Sequence, residues 1–310
     1  MRLALREFLE FITHRPYSCS VSTTSLENAL YVLAGVPLDV TSIGRRGAGE
    51  APVTVRKAIH EMETYELSMD IDLEDVPLYD AGDIDVGTDV RRAIARVAEF
   101  VKYVVLERKH PVLVGGEHTI TLGAIEGLVD RFGRVAVVIF DAHLDLRDEY
   151  PVDCKYTHAT VTRRICEIVG PENVIVVGAH AFSREEVVWA RREGVAIVSN
   201  PSSPKLEEQL ARLKGLVTHL SIDIDVLDPA LVPGVSYPEP GGLTLNQLVT
   251  GIRRVVSLAN VVSIDLVELL PPCDPTGISP FYAAKVLLAA IYAHYIAKYS
   301  KRDSVTLINS

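Results

Sequence analysis

A continuous apolar run that stops abruptly at three polar residues constrains this fold more than any other stretch of the chain. Residues 135–140 read VAVVIF, and such a run is typical of a strand buried on both faces of a parallel sheet. Asp141, His143 and Asp145 follow at every second position, so in extended chain their side chains point the same way. Buried without a partner, these groups would repel one another and be poorly solvated. The segment therefore predicts a strand end that holds a cation; the alternative is a strand-to-loop junction whose polar residues cap a helix.

Two other predicted strands end in the same way. Residues 216–227 read LVTHLSIDIDVL, where an apolar strand ends in Asp223 and Asp225 with nothing basic beside them. Residues 112–118 read VLVGGEH, a short strand followed by two glycines, an acid and a histidine. In an open α/β sheet, ligand sites form at the carboxyl ends of the strands, so we expect one site to gather these side chains. The candidate metal ligands are His118, Asp141, His143, Asp145, Asp223 and Asp225.

This ligand set is rich in oxygen and free of thiolate. It suits Mn²⁺ better than a structural Zn²⁺, although affinity alone would not exclude Zn²⁺ or Co²⁺. Two imidazoles and four carboxylates are too many for one tetrahedral ion and fit two ions that share carboxylates. We therefore expect a binuclear centre with two Mn²⁺ per chain.

Composition excludes several classes of protein. The formal net charge of −10 argues against a nucleic-acid partner, which would require a basic face, and is compatible with a cationic substrate. No run of about 18 uncharged apolar residues occurs, so no membrane partner is expected. Charged residues interrupt the apolar ones at the start of the chain, which argues against a signal peptide. A cytoplasmic protein is expected.

The cysteines do not predict a disulfide framework. Cys19, Cys154, Cys166 and Cys273 show no CxxC spacing, so free thiols are expected, with a disulfide at Cys154 or Cys273 as the alternative. The glycine-rich segment 39–52 lacks the Gly-Lys-Ser/Thr ending of a phosphate-binding loop, which argues against nucleotide binding.

About eight predicted strands alternate with helices along the chain. This alternation indicates βαβ units and a parallel sheet, and it fits both a closed eightfold barrel and an open three-layer sandwich. Residues 1–30 are predicted to form a helical extension: a helix, a turn at Arg15-Pro16, and a second helix near residues 22–30. No linker or change in composition follows, so a single domain over 1–310 is expected.

The motifs, taken in order, resemble those of the ureohydrolase family, which includes arginases, agmatinases and their relatives. The resemblance implies an α/β fold, namely a three-layer α/β/α sandwich with a mostly parallel sheet. It also implies hydrolysis of a small guanidino substrate by a hydroxide bridging two Mn²⁺ ions, and a homo-oligomer, either a trimer or a hexamer. It covers nearly the whole chain, through the segments GVPLD (35–39), GRRGA (44–48), GGEHT (115–119), DAHLD (141–145), SIDIDVLDP (221–229) and DLVE (265–268).

The resemblance also implies roles for individual residues. Asp145 corresponds to the family's proton carrier, His158 to its proton-shuttle histidine, and Glu268 to the acid that clamps the guanidinium. A carboxylate suits that last task because it pairs in a bidentate way with a planar fork of N–H donors. In the implied centre Asp141 and Asp223 bridge the two ions, while the remaining ligands are His118 and Asp145 on one ion and His143 and Asp225 on the other.

Other polar residues have more ordinary interpretations. His180 and His219 have no counterpart in the family and are expected to be structural. Asp228, before a proline, is expected to be a turn residue, and Asp265 to support the metal ligands. The chain departs from the family pattern at Glu117, where Asp is common, at Ala159, where Gly is common, and at residues 233–238, which lack the usual Gly-Thr-Gly. These departures bear on the shape of the substrate site more than on the metals.

The loop from 146 to 158 predicts agmatine as the substrate. The comparable loop of arginases holds the substrate carboxylate with Ser, Thr and Asn donors; here no Ser or Asn occurs in it. Its acids, Asp148, Glu149 and Asp153, would disfavour a carboxylate and attract an ammonium group. We therefore expect hydrolysis of agmatine to putrescine and urea. Arg147 and Lys155 could instead pair a carboxylate, which leaves an arginase or a guanidinobutyrase as alternatives.

More distant alternatives remain outside this substrate class. Guanidinopropionase and formimidoylglutamate hydrolase belong to the same family. A metal-dependent deacetylase shares the architecture but would be expected to show a His-His pair, which this chain lacks. A non-catalytic, metal-stabilised binding protein would be favoured by loss of a ligand, and all the candidate ligands are present.

Overall fold

The structure, a computed structural model, describes residues 4–14 and 19–300, and within them nine strands form one sheet. The strands are β1 (Thr13–His14), β2 (Tyr31–Val36), β3 (Leu78–Ile84), β4 (His110–Gly115), β5 (Val135–Phe140), β6 (Val174–Val177), β7 (Ala196–Val198), β8 (Val217–Asp223) and β9 (Asn260–Val267). Their order across the sheet is β1-β3-β2-β4-β9-β8-β5-β6-β7. All neighbours are parallel except β1 and β3, which are antiparallel.

Helices cover both faces of this sheet. They are α1 (Leu5–Ile12), α2 (Ala51–Glu61), α3 (Val90–Leu106), α4 (Ile120–Phe132), α5 (Val161–Val169), α6 (Arg184–Glu193), α7 (Pro204–Arg212), α8 (Leu245–Leu258) and α9 (Ser279–Tyr299). One hydrophobic core lies between the sheet and α2, α7, α8 and α9, and the other between the sheet and α1, α3, α4, α5 and α6. The three-layer α/β/α sandwich is therefore confirmed, and the closed barrel is excluded.

The apolar run of β5 is explained by these two cores. Ala136, Val138 and Phe140 belong to one core, and the alternating residues between them belong to the other. All of β5 is buried, and complete burial stabilises a Val, Ile or Phe side chain by roughly 1.5–3 kcal/mol. A polar residue could not be tolerated on either face, which is why the run contains none.

Two helices begin at the capping boxes that their sequences predict. At the start of α6, the Glu186 amide donates to Ser183 Oγ, and the Ser183 amide donates back to Glu186 Oε2. At α8, Thr244 and Gln247 make the same reciprocal pair. Each box satisfies amide groups that a helix start otherwise leaves without partners.

The N-terminal extension is only partly as predicted. Helix α1 is present, but the helix predicted near residues 22–30 is wrong, because turns and bends occupy that segment. Its backbone bonds to β3 instead: the Thr23 amide donates to Leu78 O at 2.9 Å, and Ser22 Oγ accepts from the Asp80 amide at 2.8 Å. Ser and Thr favour such non-helical pairing. The predicted turn at Arg15-Pro16 lies outside the described residues.

The last helix, α9, is long and apolar enough to meet the length and composition criteria for a membrane-crossing helix. Within the fold, 56% of its most apolar window is buried, and it packs against α2 and α8. A helix that is apolar all round is also typical of a protein core. The four cysteines are free, as expected.

Candidate metal centre and active site

Four adjacent strands, β4, β9, β8 and β5, bring the candidate residues to one edge of the sheet. The sequence places His118 just beyond β4, Glu268 directly after β9, and Asp223 at the end of β8. Asp141 and the residues after it follow β5. Because parallel strands end at the same edge, residues far apart in the chain meet there.

The predicted ligands form two groups that share Asp141. In the first, His118 Nδ1 lies 3.3 Å from Asp141 Oδ2, 3.3 Å from Asp145 Oδ2 and 3.2 Å from Asp223 Oδ2. In the second, His143 Nδ1 lies 3.0 Å from Asp225 Oδ2 and 3.5 Å from Asp141 Oδ1. All the predicted ligands therefore meet, and Asp141 faces both groups.

Backbone amides orient these carboxylates. The His143 amide donates to Asp141 Oδ1 at 2.6 Å, the Asp225 amide to Asp223 Oδ1 at 2.9 Å, and the Ala142 amide to Asp225 Oδ1 at 3.2 Å. The second oxygen of each carboxylate faces a histidine Nδ1 in the cluster. One oxygen is thus held by the backbone while the other remains available to a cation.

A hydrogen-bond chain sets the tautomer of His118. Ser221 Oγ donates to Asp265 Oδ1 at 2.6 Å, so it accepts from His118 Nε2–H at 3.2 Å. The lone pair of His118 therefore lies on Nδ1, which is buried and has no hydrogen-bond partner among the described residues. A buried, unpaired nitrogen that faces carboxylates is the arrangement expected of a metal ligand.

Asp265 is itself held by further buried groups. It accepts from Thr121 Oγ1 at 2.8 Å and from His219 Nε2 at 2.9 Å, and His219 Nδ1 lies 2.5 Å from Ser263 Oγ. The structure thus places Asp265 behind the candidate ligand His118, through Ser221, and places His219 behind Asp265.

We expect Asp265→Asn to weaken metal binding. The amide would replace one acceptor oxygen with an NH₂ group, so the bonds that orient His118 through Ser221 would be disturbed. Such outer partners typically change metal affinity by about 10–100-fold. Titration of the metal-free protein with Mn²⁺ measures the change, and Ser263→Ala, further from the ligand, provides the milder control. Equal affinity in Asp265→Asn and wild type would contradict this role.

Without a cation, burial and mutual repulsion disfavour the charged forms of two carboxylates in the cluster. Burial and repulsion from Asp141 raise the pKa of Asp145 to about 7. Burial and repulsion from Asp225 and Asp141 raise the pKa of Asp223 well above its ordinary value. Asp141 Oδ2 is also buried, with no hydrogen-bond partner in the described part of the chain. Bound cations would remove each of these penalties, so the residues present fit a pair of divalent metal ions.

Two of the predicted catalytic residues have left-handed backbone conformations. Asp145 has φ 51° and Glu268 has φ 64°, which are uncommon for residues with a Cβ and often mark functional sites. The His118 amide donates to Glu268 Oε1 at 2.7 Å, while Glu268 Oε2 is buried with no partner among the described residues. That second oxygen can accept a donor from a bound molecule.

His158 lies beside Glu268, with His158 Nδ1 3.4 Å from Glu268 Oε1. Its Nε2 accepts from the Ile43 amide at 3.2 Å, so the neutral ring carries its proton on Nδ1. Burial opposes a charge on the ring, but attraction to Glu268, Asp145 and Glu117 together outweighs burial and raises the pKa of His158 to about 9. Protonation would place an N–H on both nitrogens and so break the bond from Ile43.

Glu117, a departure from the family pattern, holds a loop and does not join the cluster. Its carboxylate accepts from the Thr41 amide at 3.0 Å, from Thr41 Oγ1 at 2.8 Å and from Ser42 Oγ at 3.0 Å. The same loop contacts His158 through the Ile43 amide. Glu117 therefore bonds to this loop and not to any of the candidate ligands.

The metal cluster forms the floor of a cavity of about 330 Å³. The inner wall consists of His143, Asp145, His158, Asp223, Asp225 and Glu268. The outer wall includes Arg147, Tyr150, Phe182, Glu186, Tyr237 and Glu239. This volume lies within the usual range for small-molecule sites.

The acids predicted to select the substrate do not line this cavity. Asp148 instead binds Arg164 at 2.6 Å, and Glu149 and Asp153 are exposed outside the cavity wall. Periodicity could not reveal that the loop turns these side chains away. Sequence reasoning instead missed Phe182 and Glu239, which reach the cavity from other loops.

His180 and Asp228 stabilise the loop that carries Glu239. His180 Nε2 lies 3.1 Å from Glu239 O, and its Nδ1 lies 3.0 Å from Gly178 O. Asp228 accepts from the amides of Ala230 and Gly241, each at 2.9 Å. Neither side chain reaches the metal cluster, in agreement with the structural roles predicted for them.

Comparisons with known proteins identify the family of this chain. The sequence profile of the Arginase family matches residues 29–292. The chain is 34% identical over 266 residues to an agmatinase of Bacillus anthracis, covering 85% of this chain and 91% of that protein. It is 35% identical over 300 residues to the N(1)-aminopropylagmatine ureohydrolase of Thermococcus kodakarensis, covering 94% and 100%. The solved agmatine ureohydrolase of Thermoplasma volcanium superimposes with a TM-score of 0.81 at 32% identity, covering 95% and 100%.

Proposed function

Because this chain belongs to the arginase family, we propose that it is an agmatinase, which hydrolyses agmatine to putrescine and urea. The observation that carries the proposal is the buried, unpaired Glu268 Oε2 in a cavity whose floor is a cluster fit for two cations. Curated relatives named agmatinase, at 33–34% identity over most of the chain, support it.

We assign two Mn²⁺ ions to the cluster. His118, Asp145, His143 and Asp225 would be terminal ligands, and Asp141 and Asp223 would bridge. The oxygen-rich donor set supports Mn²⁺. When bound, two such ions act as Lewis acids and bring the pKa of a bound water towards neutrality.

Glu268 positions the substrate in this proposal. Its free oxygen would accept an N–H of the guanidinium, while its other oxygen stays fixed by the His118 amide. A charged pair with a planar donor fixes orientation as well as position. Because the side chain is already held, little conformational freedom is lost when the substrate binds.

The hydrolysis requires one proton to reach the departing nitrogen. The oxygen of water adds to the guanidinium carbon, the bond from that carbon to the alkyl-bearing nitrogen breaks, and urea and putrescine result. Asp145 Oδ2, which lies in the cluster within reach of the cavity, would carry this proton. His158, beside Glu268, would exchange protons between the site and the cavity mouth.

We expect His158→Asn to slow turnover by about tenfold to a hundredfold, within the range of proton-transfer catalysis, with the metals retained. The loss is limited because water or buffer can replace a shuttle in part. Added imidazole should restore part of the rate. Steady-state kinetics with and without imidazole test this expectation, and an unchanged rate in the variant would contradict it.

The proposed function itself is tested by urea release from a panel of guanidino compounds. We expect kcat/KM to be highest for agmatine, compared with arginine and 4-guanidinobutyrate at the same Mn²⁺ loading. Preference for either carboxylate-bearing compound would favour an arginase or a guanidinobutyrase. Release of no urea from any of them would refute the proposal.

N(1)-aminopropylagmatine is a second candidate substrate. The match to the Thermococcus enzyme of that name covers 94% of this chain and 100% of that protein, whereas the match to the Bacillus anthracis agmatinase covers 85% and 91%. The longer compound has the same guanidinium and an aminopropyl group on its distal nitrogen, which would project through the cavity mouth. A kcat/KM for it above that for agmatine would assign the longer substrate.

Self-association into a trimer or hexamer remains a prediction from the family resemblance. Analytical ultracentrifugation of the metal-loaded protein measures the number of chains. A monomer at micromolar concentration would contradict it.

A further inference from the structure

One carboxylate in the outer wall of the cavity has no bonding partner among residues 4–14 and 19–300. Glu186 is saturated, since it accepts from the Leu146 amide at 3.1 Å, the Ser183 amide at 2.9 Å and Ser183 Oγ at 2.8 Å. For Glu239, by contrast, the only bond in the described part of the chain is made by its backbone carbonyl. Glu239 is half-buried and is one of the residues that line the cavity.

The backbone around Glu239 is held in place. Tyr237 and Glu239 each precede a proline, which favours extended backbone at both positions. In extended chain, residues two apart point to the same side, and both residues line the cavity. His180 also contacts Glu239 O at 3.1 Å. The free carboxylate is therefore presented by a constrained loop.

Tyr237 connects this carboxylate to the inner site. Its ring centroid lies 6.4 Å from that of His143 and 5.7 Å from that of His158, and its hydroxyl donates to Ile43 O. The methylene groups of a substrate can lie along this ring, between the guanidinium end at Glu268 and the far end at Glu239. The partly exposed rings of Tyr237 and Phe182 also offer faces that attract a cation.

We infer that Glu239 is a specificity-determining residue: it receives the distal ammonium of the substrate and excludes guanidino acids. The inference rests on the proposed function and deepens it. The substrate class is a guanidino compound with a cationic nitrogen at the far end of a short methylene chain, which includes agmatine and its N-aminopropyl derivative. A carboxylate at that position would be repelled, and specificity often depends on such a repulsive element.

Arg147 is the arginine in the cavity wall, and its charge could favour the opposite class. Its guanidinium lies over the Tyr150 ring at 4.5 Å from the centroid, and the side chain is exposed. It also lines a neighbouring cleft outside the cavity. Stacked in this way, Arg147 is turned towards Tyr150 and solvent, while Glu239 is left free for the ligand.

The test compares Glu239→Gln, Glu239→Lys and wild type on agmatine and 4-guanidinobutyrate. For Glu239→Gln we expect kcat/KM for agmatine to fall about tenfold to a hundredfold, mainly through KM, because one charge-assisted contact is lost. The value for 4-guanidinobutyrate should stay the same or rise. Glu239→Lys should reverse the preference. Glu149→Gln, which removes an exposed acid outside the cavity, is the matched control and should change neither value.

A measurement on the unmodified enzyme covers the case in which a variant does not fold. Butylguanidine has the length of agmatine without the ammonium, and we expect it to bind at least tenfold more weakly as a substrate or competitive inhibitor. Equal binding of butylguanidine and agmatine would overturn the inference. So would a folded, metal-loaded Glu239→Gln with an unchanged substrate ratio in an enzyme whose wild type prefers agmatine. Failure of the proposed function is distinct, because wild type would then release no urea from any guanidino compound or would prefer a carboxylate-bearing one.

Discussion

Asp141→Ala is expected to lose bound metal and activity together. Asp141 faces both histidines of the cluster, at 3.3 Å from His118 Nδ1 and 3.5 Å from His143 Nδ1. Its removal would take a ligand from each ion of the proposed pair, so neither would be held as in the wild type. Residual urea release should be at the limit of detection, because only bound metal ions would lower the pKa of water towards neutrality in this site.

Elemental analysis and urea assays on the same preparations measure both effects. Asp130→Ala is a suitable control, since Asp130 is an exposed aspartate paired with Lys102 and should leave both properties unchanged. A single tightly held Zn²⁺ in a fully active wild type would refute the two-metal arrangement. An Asp141→Ala protein with two ions per chain would show that Asp141 does not bridge.

Glu268→Gln is expected to fold, to keep its metals and to lose most of its turnover. The amide oxygen of Gln can still accept from the His118 amide, which donates to Glu268 Oε1 at 2.7 Å in the wild type. The NH₂ group would replace the free oxygen and face the N–H groups of the substrate. A hydrogen bond to a charged group contributes about 1.5–3 kcal/mol, so kcat/KM should fall about tenfold to a few hundredfold.

The metal content of Glu268→Gln must be measured beside its kinetics. Equal metal content with a large loss of turnover would separate the role of Glu268 from that of the ligands. Kinetics equal to wild type would remove Glu268 from the substrate site. Lost metal would instead indicate that the residue acts by holding His118.

Local sequence patterns determined much of this fold. The two-sided apolar run of β5, the helical periodicity of α3 and the capping box at Ser183 all depend on neighbours within a few residues. Such patterns report burial and hydrogen bonding directly. They failed at residues 22–30, where the backbone pairs with β3 about 55 residues away, because no local pattern records a distant partner.

The candidate site was likewise predictable from the sequence only in part. Alternating acids after apolar strands were sufficient to propose the ligands, because the carboxyl ends of parallel strands meet at one edge. Only the tertiary structure decided that His118 offers Nδ1, because the Ser221–Asp265 pair that sets its tautomer lies on β8 and β9. The directions of loop side chains were likewise decided in three dimensions. Asp148 turns to Arg164 and Glu239 turns into the cavity, since loops lack the periodicity from which a direction could be predicted.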